Sequence, residues 1–201
     1  MKTANSIDTR KLVLLALLTA IVVVLQFLSA SFPVYPFRLA LALVPIVIGS
    51  ALISPLAGAW LGLAFGGVAL TTSFTSGDQF FLWLYLHNPI ATVTIVLVKG
   101  LLAGFAAGWV YKLLVKKGML IAATSAAVIC PIVNTGIFTI GMYLFFLPVL
   151  ADLGITGAAN IAYFIFIVMI GFNFILELAV NLVLSPTIVR LIQYKKTAQS
   201  E

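Results

Sequence analysis

The sequence predicts an all-α membrane protein of six transmembrane helices with both termini on the cytoplasmic side. Three observations carry that expectation. Of 201 residues, 63% are hydrophobic and only 8% charged, against roughly 25% charged in a soluble domain. Six apolar segments, about residues 11–30, 39–53, 55–72, 89–115, 119–148 and 158–193, are separated by chemically marked breaks. Nine of the eleven Lys and Arg residues fall at alternate segment ends. The whole chain, 1–201, is therefore expected to form a single transmembrane domain.

The first segment contains "KLVLLALLTAIVVVLQFL", Lys11 to Leu28. Its apolar run exceeds the 7–15 residues usual in a signal-peptide core, and cleavage would spoil the charge pattern. Ala16 and Ala20 lie one helical turn apart and form a small-residue notch on one face. The segment closes at "SFPVYPFR", with Pro33 and Pro36. Segments two and three are short for a bilayer, which needs about 17–20 residues. "ISPLAG" divides them, and Pro55 suits a helix start. "TTSFTSGDQFF" ends the third. An outer loop, "FLWLYLHNP" (Phe81–Pro89), follows it, and Pro89 opens the fourth. "VKKGM" is a basic turn into the fifth, and "LPVLADLGITG" separates the fifth from the sixth.

Lys2, Arg10 and Lys11 precede segment one; Lys112, Lys116 and Lys117 occupy the fourth-to-fifth turn; Arg190, Lys195 and Lys196 close segment six. With six crossings these groups share one side, which the positive-inside rule makes cytoplasmic. The net charge of +6 thus has a topological origin and requires no nucleic-acid partner. The single Cys130 excludes an internal disulfide framework. His87 has no partner His or Cys, so no metal site is expected. No P-loop, G-x-S-x-G or H-E-x-x-H motif occurs. No cofactor or enzymatic activity is expected, and a chain without an ATPase motif must borrow any ATP-driven engine.

Ionisable groups within membrane segments are costly and call for a partner. Lys99 lies 13 residues from Lys112, and Glu177 lies 13 residues from Arg190. Both are therefore expected about 20 Å from the basic boundary. Gln26 is 15 residues beyond Lys11, while Asn134 and Asn173 are each 17 from Lys117 and Arg190. Five polar side chains from four segments converge to within about 6 Å of one height, as a pocket or network. Asn173, Glu177 and Asn181 form a stripe of period four, which serves a ligand or joins helices by hydrogen bonds. Lys99 and Glu177 either neutralise each other or leave Lys99 to anchor a substrate carboxylate. Trp83, Tyr85, His87, Asn88 and Arg38 form a lid over that pocket or an interfacial belt meeting lipid.

The chain resembles the substrate-binding S components of energy-coupling factor (ECF) transporters over nearly its whole length. The resemblance rests on the six-span size, "ALLTA" (Ala16–Ala20) and "LVPIVIGSALISPLAGAWLGLAFG" (Leu43–Gly66). "CPIVNTGIF" (Cys130–Phe138) and "NFILELAVNLVLSP" (Asn173–Pro186) are similar to the pantothenate-type branch. It implies a high-affinity vitamin-binding subunit of an ABC importer in the bacterial plasma membrane. Its implied partners are the vitamin, a transmembrane coupling protein that meets Ala16 and Ala20, two cytoplasmic ATPases and the bilayer.

The substrate site expected from depth and loop composition draws on Lys99, Asn134, Asn173, Glu177, Trp83, His87, Asn88, Gln26 and Arg38. Pantothenate is the favoured substrate, with riboflavin, cobalamin, folate or a pyrimidine as alternatives. A stand-alone proton-coupled secondary transporter is the rival function.

Overall fold

A computed structural model describes residues 9–31, 41–150, 163 and 172–197. Arg38, the aromatic residues of "SFPVYPFR" and most of residues 158–171 lie outside them, as does the side chain of Asn173. Regular structure among the described residues is entirely helical. It comprises α1 (Thr9–Ser31), α2 (Leu43–Leu52), α3 (Pro55–Thr75), α4 (Gln79–His87), α5 (Pro89–Leu114), a 3-10 turn (Val115–Lys117), α6 (Met119–Leu150) and α7 (Phe172–Thr197).

Four helices are long and apolar enough to cross a bilayer: α1, α3, α5 with its 3-10 turn, and α6. Leu43–Leu52 and Phe174–Pro186 are shorter apolar helices. The ten residues of α2 rise about 15 Å, half of a typical hydrocarbon core.

The main departure from the sequence reading lies between Ser73 and His87. The polar stretch there was expected to be loop, yet α3 continues to Thr75 and Phe81–His87 lie within α4. The threonines stay helical because their hydroxyls donate backwards along the helix. Thr72 Oγ1 lies 2.9 Å from the Val68 carbonyl oxygen, and Thr75 Oγ1 lies 3.0 Å from that of Thr71. Gly77, at φ 66°, makes the turn. Asp78 then caps α4 by accepting the Phe81 N–H at 3.1 Å.

Two other starts follow one rule. Ser54 and Asn88 each precede a proline, are held out of the helical region, and accept an N–H three residues on. Pro55 and Pro89 therefore open α3 and α5, as their positions predict.

The closest helix packing joins α3 to α5, which run antiparallel. Gly58, Gly62 and Gly66 on α3 face Gly104, Gly100 and the Val96–Leu97 backbone on α5. A Cβ added to Gly62 would collide with the Gly100 carbonyl, and one on Gly104 with the Gly58 carbonyl. On Gly108 it would stand 2.6 Å from Pro55 Cα. The two backbones touch. Apolar side chains gain little by leaving lipid for a neighbouring helix, so such close approach supplies the association energy. α2 runs along the same seam, with Ser50 beside both Gly58 and Gly108.

Two apolar clusters result. The larger joins Leu18, Val22, Ile46, Leu61, Phe65, Ala103, Ala107, Tyr111, Ala126, Cys130 and Val189, among others. It lies toward the helix ends that carry Lys112, Lys116, Lys117 and Arg190. The smaller, at the opposite end, joins Leu84, Ala91, Ile95, Met142 and Phe146, with Phe80, Trp83 and Phe138 against them.

Gly62→Val is expected to cost about 1–3 kcal/mol, or to prevent folding, because the added methyls meet backbone. Gly67→Ala, with open space around its Cβ, is expected to leave stability unchanged or slightly raised. Thermal unfolding of both variants in detergent checks the seam, and an unchanged midpoint for Gly62→Val contradicts it.

Candidate functional site

Helices α5 and α6 each pass from one apolar cluster to the other, and each places a polar residue at the crossing. On α5, Ala91 and Ile95 belong to the smaller cluster and Ala103 and Ala107 to the larger. Lys99 occupies the intervening position of that four-residue rhythm. On α6, Cys130 belongs to the larger cluster, while Phe138, Met142 and Phe146 join the smaller. Asn134 takes the turn between. The same periodicity that builds the cores therefore delivers Lys99 and Asn134 to the layer between them.

A lysine in the middle of a membrane helix costs about 3 kcal/mol on insertion scales, so its partners matter. The Lys99 ammonium lies 4.9 Å from the centroid of the Phe138 ring. Glu177, buried on α7, is close enough for its charge to act on both Lys99 and the Cys130 thiol. Glu177 lies on the buried face of α7, the helix that packs against α6. Cys130, Asn134 and Phe138 succeed one another at single-turn spacing on α6, so Asn134 sits between the residue that shares Glu177 and the one that faces Lys99.

The buried face of α7 continues from Glu177 through Asn181 and Ser185 to Val189. Asn181 Nδ2 donates to the Glu177 backbone carbonyl at 2.8 Å, and Ser185 Oγ lies 3.5 Å from Thr124 Oγ1 on α6. The Asn181 bond stays within α7, and the contact that reaches α6 comes from Ser185, one turn beyond the expected stripe. Three buried amide oxygens, on Gln26, Asn134 and Asn181, have no hydrogen-bond donor among the described residues. A buried acceptor left unmatched costs about 1–3 kcal/mol, so these atoms are poised for water or a ligand.

The remaining predicted residues divide. Gln26 is buried on α1, but α1 packs mainly on α3 and α2, and no described contact brings Gln26 to Lys99. Trp83 belongs with Phe80 and Phe138 in the smaller cluster. His87 is exposed, with its ring centroid 4.5 Å from that of Trp83 and Nδ1 2.7 Å from the Trp83 carbonyl oxygen. Asn88 has a structural task, accepting the Ala91 N–H at 3.0 Å to cap α5. Tyr85 packs edge-on against Phe74 of α3. Ala16 and Ala20 lie on the exposed face of α1, turned away from buried Leu18, Val22 and Gln26. Arg38 and the Asn173 side chain lie outside the described residues. Among the described residues no three of His, Cys, Asp and Glu converge as a metal site.

Sequence reasoning missed Phe138. It stands one turn after Asn134 in the spacing that also includes Met142, and that rhythm was the available signal. Sequence comparison completes the picture: the model of a family described as "ECF transporter, substrate-specific component" matches residues 10–189. Comparisons with curated proteins and with solved structures give no match.

Asn88→Ala is expected to lower stability by about 1 kcal/mol, the usual cost of a lost N-cap, while leaving ligand affinity unchanged. Thermal unfolding measured beside a binding titration checks this. Weakened binding at unchanged stability would instead make Asn88 a ligand contact.

Proposed function

The chain belongs to the substrate-specific components of ECF transporters, and on that premise we propose that it captures pantothenate for a vitamin importer. The observation that carries the reading is the Lys99 ammonium 4.9 Å from the Phe138 ring centroid in the layer between two apolar clusters, with the unmatched Asn134 oxygen one turn before Phe138 on α6 and Glu177 buried on α7. Pantothenate offers a carboxylate for Lys99, and amide and hydroxyl donors for Asn134 and Glu177, on a small aliphatic frame. Asn173, one turn before Glu177, would extend the polar wall. Trp83, His87 and Arg38 would guard the entrance, and Gln26 would border it from α1.

In the proposed topology the chain crosses the membrane six times with both termini cytoplasmic. The grouping of Lys112, Lys116, Lys117 and Arg190 at one end of the described helices supports this orientation. The site then faces the exterior, and the chain relies on a coupling protein and two cytoplasmic ATPases for transport. Ala16 and Ala20 are the proposed contact with the coupling protein, supported by their exposure and small size.

A second reading is favoured by the Phe80, Trp83 and Phe138 cluster, whose rings suit a conjugated vitamin such as riboflavin.

Lys99→Ala is expected to weaken pantothenate binding about tenfold to a hundredfold, the worth of a charge-assisted contact. Its effect on panthenol, the neutral alcohol, should be small. Equal losses for both ligands, by calorimetric titration, would remove the carboxylate role. Ala16→Trp and Ala20→Trp should abolish ATP-dependent uptake in vesicles while leaving binding intact. Parallel loss of binding would place these alanines in internal packing. Full uptake driven by a proton gradient, without ATPases, would establish the secondary-transporter alternative.

A further inference from the structure

We propose that Phe138 is a positioning residue: its ring holds the Lys99 ammonium in the site, so that preference for an anionic ligand depends on an aromatic side chain that need not touch the carboxylate. This rests on the proposed anion-binding role of Lys99 and deepens it.

The geometry supplies three supports. First, the Lys99 Nζ stands 4.9 Å from the Phe138 ring centroid, within the range in which a ring quadrupole attracts a cation. Second, the ring is backed by the cluster of Leu84, Ile95, Met142 and Phe146. Third, Ile95 and Gly141 bring α5 and α6 together one turn further on. A Cβ on Gly141 would stand only 2.6 Å from Ile95 Cδ1. That close crossing fixes the register in which Phe138 faces Lys99.

The chemistry explains why a positioning group is needed. Lysine carries its charge on a flexible four-carbon stem with high rotamer entropy, and its ammonium has no preferred plane. Glu177 attracts it from α7, and complete neutralisation there would leave nothing for an incoming carboxylate. A π face competes with Glu177 for the ammonium without offering a formal negative charge. An arriving carboxylate can then displace part of the ring contact at lower cost than breaking a second ion pair. Phe138 thus keeps the lysine both ordered and available.

The test uses the full-length protein in detergent with Phe138→Leu, which keeps apolar bulk but loses the π face, and Phe138→Tyr, which retains both. Two readouts are taken. One is the affinity ratio of pantothenate to panthenol. The other, which requires no ligand, is the rate of Lys99 acetylation by acetic anhydride, resolved by mass spectrometry. Phe138→Leu is expected to reduce the affinity ratio about fivefold to tenfold, consistent with the scale of cation–π contacts, and to speed Lys99 acetylation. Phe138→Tyr should preserve both values.

A wild-type result for Phe138→Leu in either readout overturns the proposal. So does loss of both in Phe138→Tyr, which would show simple core packing. If the wild-type protein binds neither probe, the pantothenate reading fails, and the acetylation rates alone decide the role of Phe138.

Discussion

Contact between two backbones underlies the arrangement. Along α3 and α5, glycines at four-residue spacing let carbonyls approach where any side chain would intervene. Lipid surrounds apolar side chains as comfortably as protein does, so close fit has to supply the cohesion that water exclusion supplies in a soluble fold. The seam also fixes rotation. Gly100, Gly104 and Gly108 must face α3 and α2, and this turns Lys99, Ala103 and Ala107 along a neighbouring face of α5. Lys99 therefore reaches Phe138 on α6 because of what Gly100 does against Gly62.

The polar layer is bounded along the helix axes. Apolar clusters close it toward both ends, and the helices that line it continue each cluster's four-residue rhythm through Lys99 and Asn134. Buried ionisable groups in such a setting contribute little net stability compared with apolar packing of equal volume. The proposed function gives Lys99, Glu177 and the unmatched Asn134 oxygen a binding role instead. One face of α7 buries Glu177, Asn181 and Ser185; the Asn181 amide bonds back to its own helix, and Ser185 reaches Thr124 on α6 toward the basic end.

Much of this was legible in the sequence. Composition and basic-residue placement indicated a multi-pass membrane protein, and Pro55 and Pro89 marked helix starts correctly. Counting residues from the basic ends put Lys99 and Glu177 at one depth; in the structure Lys99 stands against the Phe138 ring and Glu177 is buried on α7. Depth alone, however, carries no azimuth. Gln26 fits the predicted height, yet α1 packs mainly on α2 and α3. Asn88 was read as a lid residue because polar residues near aromatic ones suggest one; the capping role that its position before Pro89 gives it went unread. The glycines at 58, 62, 66, 100, 104 and 108 were equally visible, but only their pairing across two helices distinguishes a seam from common small-residue spacing. The end of α3 was misread because serine and threonine suggest loops in water, while their hydroxyls can bond back to their own helix. The helix α4 was missed because Gly77 and Asp78, taken as loop residues, form the turn and N-cap that start it.

The central claim is that the layer between the two clusters binds a small carboxylate-bearing vitamin. Native mass spectrometry of the purified protein, released gently from detergent with its co-purified ligand, tests this most directly. The account predicts a one-to-one adduct at the mass of pantothenate, lost from Lys99→Ala. A stoichiometric adduct without a carboxylate, retained in full by Lys99→Ala, would contradict it.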